Sequence, residues 1–289
     1  MQPLYQIYSK AEERERTNRH YARSAEFFQR ITGGEWSVYS CNLWDTARDQ
    51  TESQAAKLDL LARIAGLRPG HRILDLGCGW GGSLAYLCKT YGASGVGLTL
   101  SAPQKKSAEA YAKKHAVDVD IKVNHWKDFE PGGQFNMIYS DEVLVHIPDL
   151  TGLFRKLGGM LAPGGRMVHK ELHLTHPDYA KRMTRGSSFI NEAFGATGNY
   201  RTLAEEILFL GQAGLACRGV HTLENWHYRK TVEHWINNMT SQRAHLVRLE
   251  GKRFYDMILK YLRIARMFVV SPAISNDIVV SGHLGDATI

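Results

Sequence analysis

The sequence contains no apolar run that approaches bilayer length, so no membrane-spanning helix is expected and any membrane contact would be peripheral. The N-terminus turns charged by Lys10, which argues against a signal peptide. Cysteine is scarce. Cys41, Cys78, Cys88 and Cys217 show no metal-like spacing, and a chain of this size needs no disulfides, so a cytoplasmic location is expected. Neither an internal repeat nor a low-complexity segment occurs. No aromatic-basic motif of a nucleic-acid binder stands out, and nucleic acid is not an expected partner. Acidic residues are outnumbered, 29 Asp+Glu against 36 Lys+Arg, for a net charge of +7. The excess is spread along the chain and reads as a solvated basic surface, compatible with a phospholipid surface or a phosphorylated substrate.

What is present is ample apolar material: 44% of 289 residues, enough for one large domain or a domain with a cap. The chain is organised around Ile73 to Gly82. An apolar run from Arg72 to Leu76 reads as a buried parallel strand, and Ser83 to Tyr91 as a helix. Between them Gly77, Gly79 and Gly81 crowd a turn where the backbone must bend sharply and let a ligand approach. From there strands and helices alternate. Strands are expected over 95–100, 119–123, 135–140, 167–174, 215–223 and 277–282, with helices over 101–115, 150–161 and 202–213. The predicted fold class is α/β: a doubly wound, mostly parallel seven-stranded sheet with a helical cap. Residues 1–50 are expected to form a helical lid, 51–223 with 271–289 a cofactor-binding core, and 175–200 with 224–270 the cap and substrate insertions.

The pattern Asp75-x-Gly77-x-Gly79-x-Gly81 resembles the first motif of class I methyltransferases, which hold S-adenosylmethionine. Further pieces follow in order: Tyr39-Ser40-Cys41, Gly97-Leu98-Thr99-Leu100-Ser101 with Gln104, His227-Tyr228 leading to Thr231 and Trp235, then Tyr255 and Tyr261-Leu262. Together they resemble the cyclopropane-fatty-acid and mycolic-acid synthase family over roughly residues 20 to 280. The chain is closer in size to the single-domain mycolate-type enzymes. The resemblance implies S-adenosylmethionine as cofactor, bound by Tyr39, Ser40, Asp75, Gly77, Gly79, Gly81, Thr99, Leu100, Gln104, Trp126 and Ser140. Gln104 would hold the ribose, since no acid follows the second strand, and Trp126 would lie beside the adenine.

Methylating an alkene leaves a carbocation, so the site must be dry, rich in aromatic faces, and supplied with a base. In the family a bound bicarbonate is that base, held by a cysteine backbone, a glutamate, a histidine and a tyrosine. Cys41, His169 and Tyr228 are matched to three of these. The glutamate is not: its place before His146 holds Val145. Glu142 in the same loop and Glu171, on the same strand face as His169, are the candidates for a relocated base. His169, His173 and His176 fall short of a closed ligand pattern, so no metal is expected. Tyr21, Arg182, Arg185 and Trp226 are candidates for substrate binding, the arginines for an anionic head group. The expected activity is transfer of a methyl group to an olefinic carbon of a hydrophobic, lipid or isoprenoid-like substrate. A true cyclopropane synthase is the alternative. From another class, a non-catalytic cofactor-binding regulator or RNA-binding module is disfavoured by the intact glycine turn and Tyr228.

Overall fold

The computed structural model describes residues 8–21, 23–183 and 199–286. Helices α1 (Lys10–Tyr21) and α2 (Ala25–Thr32) lead to α3 (Gln50–Ala65). Alternation then begins with β1 (Arg72–Leu76), α4 (Gly82–Tyr91), β2 (Ser94–Thr99), α5 (Ala102–His115) and β3 (Val119–Val123). It continues with β4 (Phe135–Asp141), α6 (Leu150–Met160) and β5 (Leu161–Leu174). After α7 (Asp178–Met183) come α8 (Leu203–Gln212), β6 (Leu215–Leu223), α9 (Asn225–Ser241), α10 (Arg243–Glu250), α11 (Lys252–Phe268) and β7 (Ile274–His283).

The seven strands form one sheet in the order β3-β2-β1-β4-β5-β7-β6. All neighbours are parallel except β7, which runs antiparallel to both β5 and β6. Strand order reverses between β1 and β4, and a doubly wound sheet binds its ligand in the crevice outside the carboxyl ends of the strands at such a point. The glycine turn after β1 therefore lies where the topology opens a crevice.

Successive strand residues serve opposite faces, as the pleat requires. Ile73, Met137 and Val168 pack with Leu58, Leu61 and Leu84 under α3 and α4. Their immediate neighbours Leu74, Ile138 and Met167 pack with Leu153, Phe154 and Leu210 under α6 and α8. A third cluster joins Phe27, Phe28 and Ile31 of α2 to Val232 and Trp235 of α9 and Ile258 and Leu262 of α11. That cluster is the cap, and Trp80 and Cys41 belong to it, tying it to the glycine turn. No helix among the described residues is long and apolar enough to cross a membrane.

One buried ionic cluster fastens the far half of the sheet. His173 lies 3.0 Å from Asp277 and 2.8 Å from Glu206. Burial alone would depress the imidazole, but the two carboxylates outweigh it and raise its pKa to about 10. A pKa raised on folding, against an ordinary value of about 6.5, gives stability that is complete below that value and is lost as pH climbs towards 10. Denaturant midpoints of the protein should fall over this window, and those of His173→Gln should respond far less. Identical slopes for the two proteins would show that the cluster does not titrate this way.

Candidate active site

Two cavities meet at the carboxyl edge of the sheet. The first is the crevice over the glycine turn. Gly77, Gly79 and Gly81 all take positive φ, 79°, 52° and 90°. A Cβ at Gly77 would come within 2.7 Å of Val143, and one at Gly81 within 2.4 Å of Ala108. At Gly79 it would meet nothing within 4 Å, because that residue faces the open cleft. Asp75 lies on the cleft wall, accepts a hydrogen bond from the Tyr139 hydroxyl at 3.0 Å, and is pushed up to about 8 by burial. The Thr99 hydroxyl donates to the Gln104 carbonyl at 2.6 Å, which leaves the Gln104 amide nitrogen for a ligand. Leu100, Ser40 and Trp126 line the same cleft. The indole N–H groups of Trp126 and Trp80 are buried and find no acceptor among the described residues. Helix α1 adds Glu13, Arg16 and Thr17, with Glu13 2.8 Å from His125, so the N-terminal helix covers this cleft.

The second cavity lies under the cap, lined by Tyr200, Tyr261, Trp235 and Phe268 among others. Its described lining includes two carboxylates, Glu142 and Glu171, and no lysine or arginine. Tyr39, Glu142 and His146 line both cavities. These three side chains mark the junction at which a group can pass from a ligand in one to a ligand in the other.

Glu142 is the most heavily engaged of them. Its Oε1 accepts from the Cys41 backbone N–H at 3.1 Å and from Lys170 Nζ at 2.6 Å. Its Oε2 accepts from the Tyr228 hydroxyl. Burial and Glu142 together raise the Tyr228 phenol far above its ordinary value, so it stays protonated and donates. Lys170 is wholly buried, a cost that its carboxylate neighbours Glu142 and Asp141 outweigh, so its pKa is raised and it remains a cation. Asp141 in turn binds Lys57 and accepts from Ser40 at 2.6 Å. Three non-glycine residues among those described have positive φ. Ala116 merely ends α5, whereas Ser37 and Glu142 both line the first cleft. Holding Glu142 at φ 60° costs on the order of 1 kcal/mol, a strain that recurs at functional sites.

Glu171 fastens the adjoining loop by accepting from the backbone N–H groups of Val143 and Leu144 at 2.8 and 2.9 Å. Burial pushes its pKa up to about 8. Burial pushes His146 down to about 4, so it stands neutral at the junction. The Cys41 thiol is pushed up to about 12 by burial and is inert; Cys41 serves the site through its backbone.

The structure does not bring His169 to this site. Its neighbour Lys170 points to Glu142, so His169, one residue earlier, points to the other face, where it meets Ser140 at 2.9 Å and the Phe154 ring. Ser140, expected at the cofactor, is buried with it and lines neither cavity. Trp226 also lines neither; it starts α9, 41% exposed and stacked on His227. Arg185 and the side chains of Tyr21 and Arg182 lie outside the described residues. Sequence reasoning missed Lys57 and Lys170. The former was legible as a lysine on the buried stripe of α3 with Gln54, Leu58 and Leu61, the latter only from the strand's parity.

The mycolic acid cyclopropane synthetase family matches residues 8–274. This chain belongs to that family. It is an S-adenosylmethionine-dependent methyltransferase. A cyclopropane mycolic acid synthase 2 from Mycobacterium leprae is 28% identical over 270 residues, covering 84% of this chain and 85% of the relative. A probable fatty acid methyltransferase from Pseudomonas putida is 29% identical over 248 residues, and the match spans 62% of that protein's length. In structure the methyltransferase superposes on mycolic acid cyclopropane synthase CmaA1, solved with SAH and CTAB, with a TM-score of 0.85. That likeness carries 22% identity and covers 93% of this chain and 97% of the other. At that identity it speaks for the fold alone.

Proposed function

We propose that the methyltransferase adds a methyl group to an olefinic carbon of a hydrophobic, lipid or isoprenoid-like substrate, and that Glu142 takes up the proton released. The observation that carries this is the position of Glu142 at the junction of the two cavities. The residues of the first cavity fit S-adenosylmethionine: open space at Gly79, an unpaired Trp126 N–H, and an available Gln104 amide. Gln104 would bind the ribose and Trp126 the adenine, while Tyr39 closes the cleft towards the substrate. When bound, the cofactor supplies an electrophilic methyl group whose bond to sulfur breaks as the alkene π pair forms the new carbon–carbon bond.

The chain's own residues do the rest. Aromatic faces of Tyr39, Tyr200, Tyr261 and Trp235 and the Glu142 carboxylate stabilise the positive charge left on the substrate. The C–H bond beside that charge gives its electron pair to a new double bond and its proton to Glu142. Lys170, Tyr228 and the Cys41 N–H orient the carboxylate for the transfer. The described lining of the second cavity holds no cation, which argues against an anionic group at the reacting end of the substrate. Val145 presents an apolar wall there, where the resemblance puts a carboxylate. This supports deprotonation by the fixed Glu142 and a methylated alkene as product. A second reading, methylation of a hydrophobic amine, draws support from the same pair of carboxylates, which suit a cationic substrate.

Incubation with S-adenosylmethionine and a panel of unsaturated acyl chains, isoprenoids and hydrophobic amines tests this, with products read by mass and NMR. A gain of one methylene unit with a retained double bond is expected. A three-membered ring would establish the cyclopropane synthase instead, and an N-methyl product the amine reading.

A further inference from the structure

Three donors of separate origin converge on the Glu142 carboxylate: a backbone N–H, an ammonium and a phenol. Each is held independently of Glu142. The chain around Cys41 is anchored through Asn42, whose N–H donates to Thr231 at 3.1 Å. Lys170 is fully buried on β5 and also lies 3.3 Å from Asp141. Tyr228 packs in the cap against Trp235. The donors thus form a socket for a carboxylate-like anion, and the anion filling it comes from a residue whose backbone is left-handed. Glycine would relax that backbone. A solvated glutamate would not need three donors.

We propose that Glu142 is a tethered anion: its carboxylate shuts free bicarbonate and small carboxylates out of this socket, and replacing it with glycine turns the socket into a binding site for them. The atoms removed by Glu142→Gly outnumber those of bicarbonate or formate, so space is not limiting. Losing the carboxylate leaves the Lys170 cation short of a partner, and an anion from solution restores the charge balance. The catalytic meaning of this inference rests on the reaction proposed above; the anion-binding claim does not.

The test is a titration of the wild type, Glu142→Gly and Glu142→Gly/Lys170→Met with ¹³C-bicarbonate and ¹³C-formate, followed by NMR. No saturable binding is expected in the wild type. Saturable binding of both anions is expected in the glycine variant, weakened by roughly tenfold or more in the double variant, which lacks the charged donor. Saturable bicarbonate binding by the wild type at the affinity of the glycine variant would overturn the proposal. So would a glycine variant with intact S-adenosylmethionine affinity that binds neither anion. Should that variant fail to fold, the wild-type titration decides alone. Turnover is a separate arm: the wild type should be indifferent to removal of bicarbonate, and formate should restore activity to Glu142→Gly by tenfold or more. Anion binding without restored turnover would uphold the socket and refute Glu142 as the proton acceptor.

Discussion

Glu142→Gln should lower turnover by about 10²–10⁴-fold, the usual contribution of a positioned base, while leaving S-adenosylmethionine affinity within about twofold. The amide keeps the shape of the side chain: its carbonyl oxygen can still accept from Lys170 and the Cys41 N–H, and its NH2 can donate to the Tyr228 hydroxyl oxygen, so the socket stays filled and the loop keeps its course. What it loses is the capacity to hold a proton and the negative charge beside a developing cation. Both losses fall on the transition state, so kcat should drop with little change in KM. Release of S-adenosylhomocysteine with an accepted alkene measures the first, and calorimetric titration of the cofactor the second. Activity within a few-fold of the wild type would remove Glu142 from the chemistry. Neutral His146 at the junction or Glu171 would then be the remaining candidates.

A valine at position 79 should abolish cofactor binding, weakening it by more than about 100-fold. Two effects combine. A β-branched residue at φ 52° is forced into a region that it rarely adopts, and its side chain enters the cleft. Gly79 is the informative position among the three glycines because the protein itself leaves room there. Side chains at Gly77 or Gly81 would strike Val143 or Ala108 first and confuse misfolding with lost binding. As a milder companion, Gln104→Ala should weaken binding by about 1–3 kcal/mol if it strands a ribose hydroxyl. Cofactor affinity unchanged in Gly79→Val, with a normal circular dichroism spectrum, would show that the cofactor does not cross this turn.

Much of this architecture was legible because its causes are local. The run from Arg72 to Leu76, the glycines that follow, and the β3 residues Val119 to Val123 sit in the structure as the pattern predicts. The helix expected over 202–213 runs from Leu203 to Gln212, with Thr202 and Glu205 forming a reciprocal cap at its start. The helix expected over 150–161 ends at Met160, but the strand expected from 167 already begins at Leu161, so Pro163-Gly164-Gly165 lies inside β5 rather than ahead of it.

The sequence by itself determined the sheet, the glycine turn and hence the kind of ligand, because strand parity, turn chemistry and caps depend on neighbours a few residues apart. It also carried Glu142 and Tyr228 as candidates, through the order of short motifs. Only the tertiary structure decided that Lys170 and not His169 faces Glu142. On a strand one residue separates the two faces of the sheet, and motif spacing does not resolve so small a step. Likewise only the fold brings Lys57 from α3, Cys41 from the segment before it, Asp141 from β4 and Tyr228 from α9 to a single network. Those residues are far apart in the chain, and whether a charge among them is paired or stranded depends on where the others come to lie. Trp226 shows the converse: an aromatic residue beside a site motif, left at the surface because the helix it begins buries His227 and Tyr228 instead.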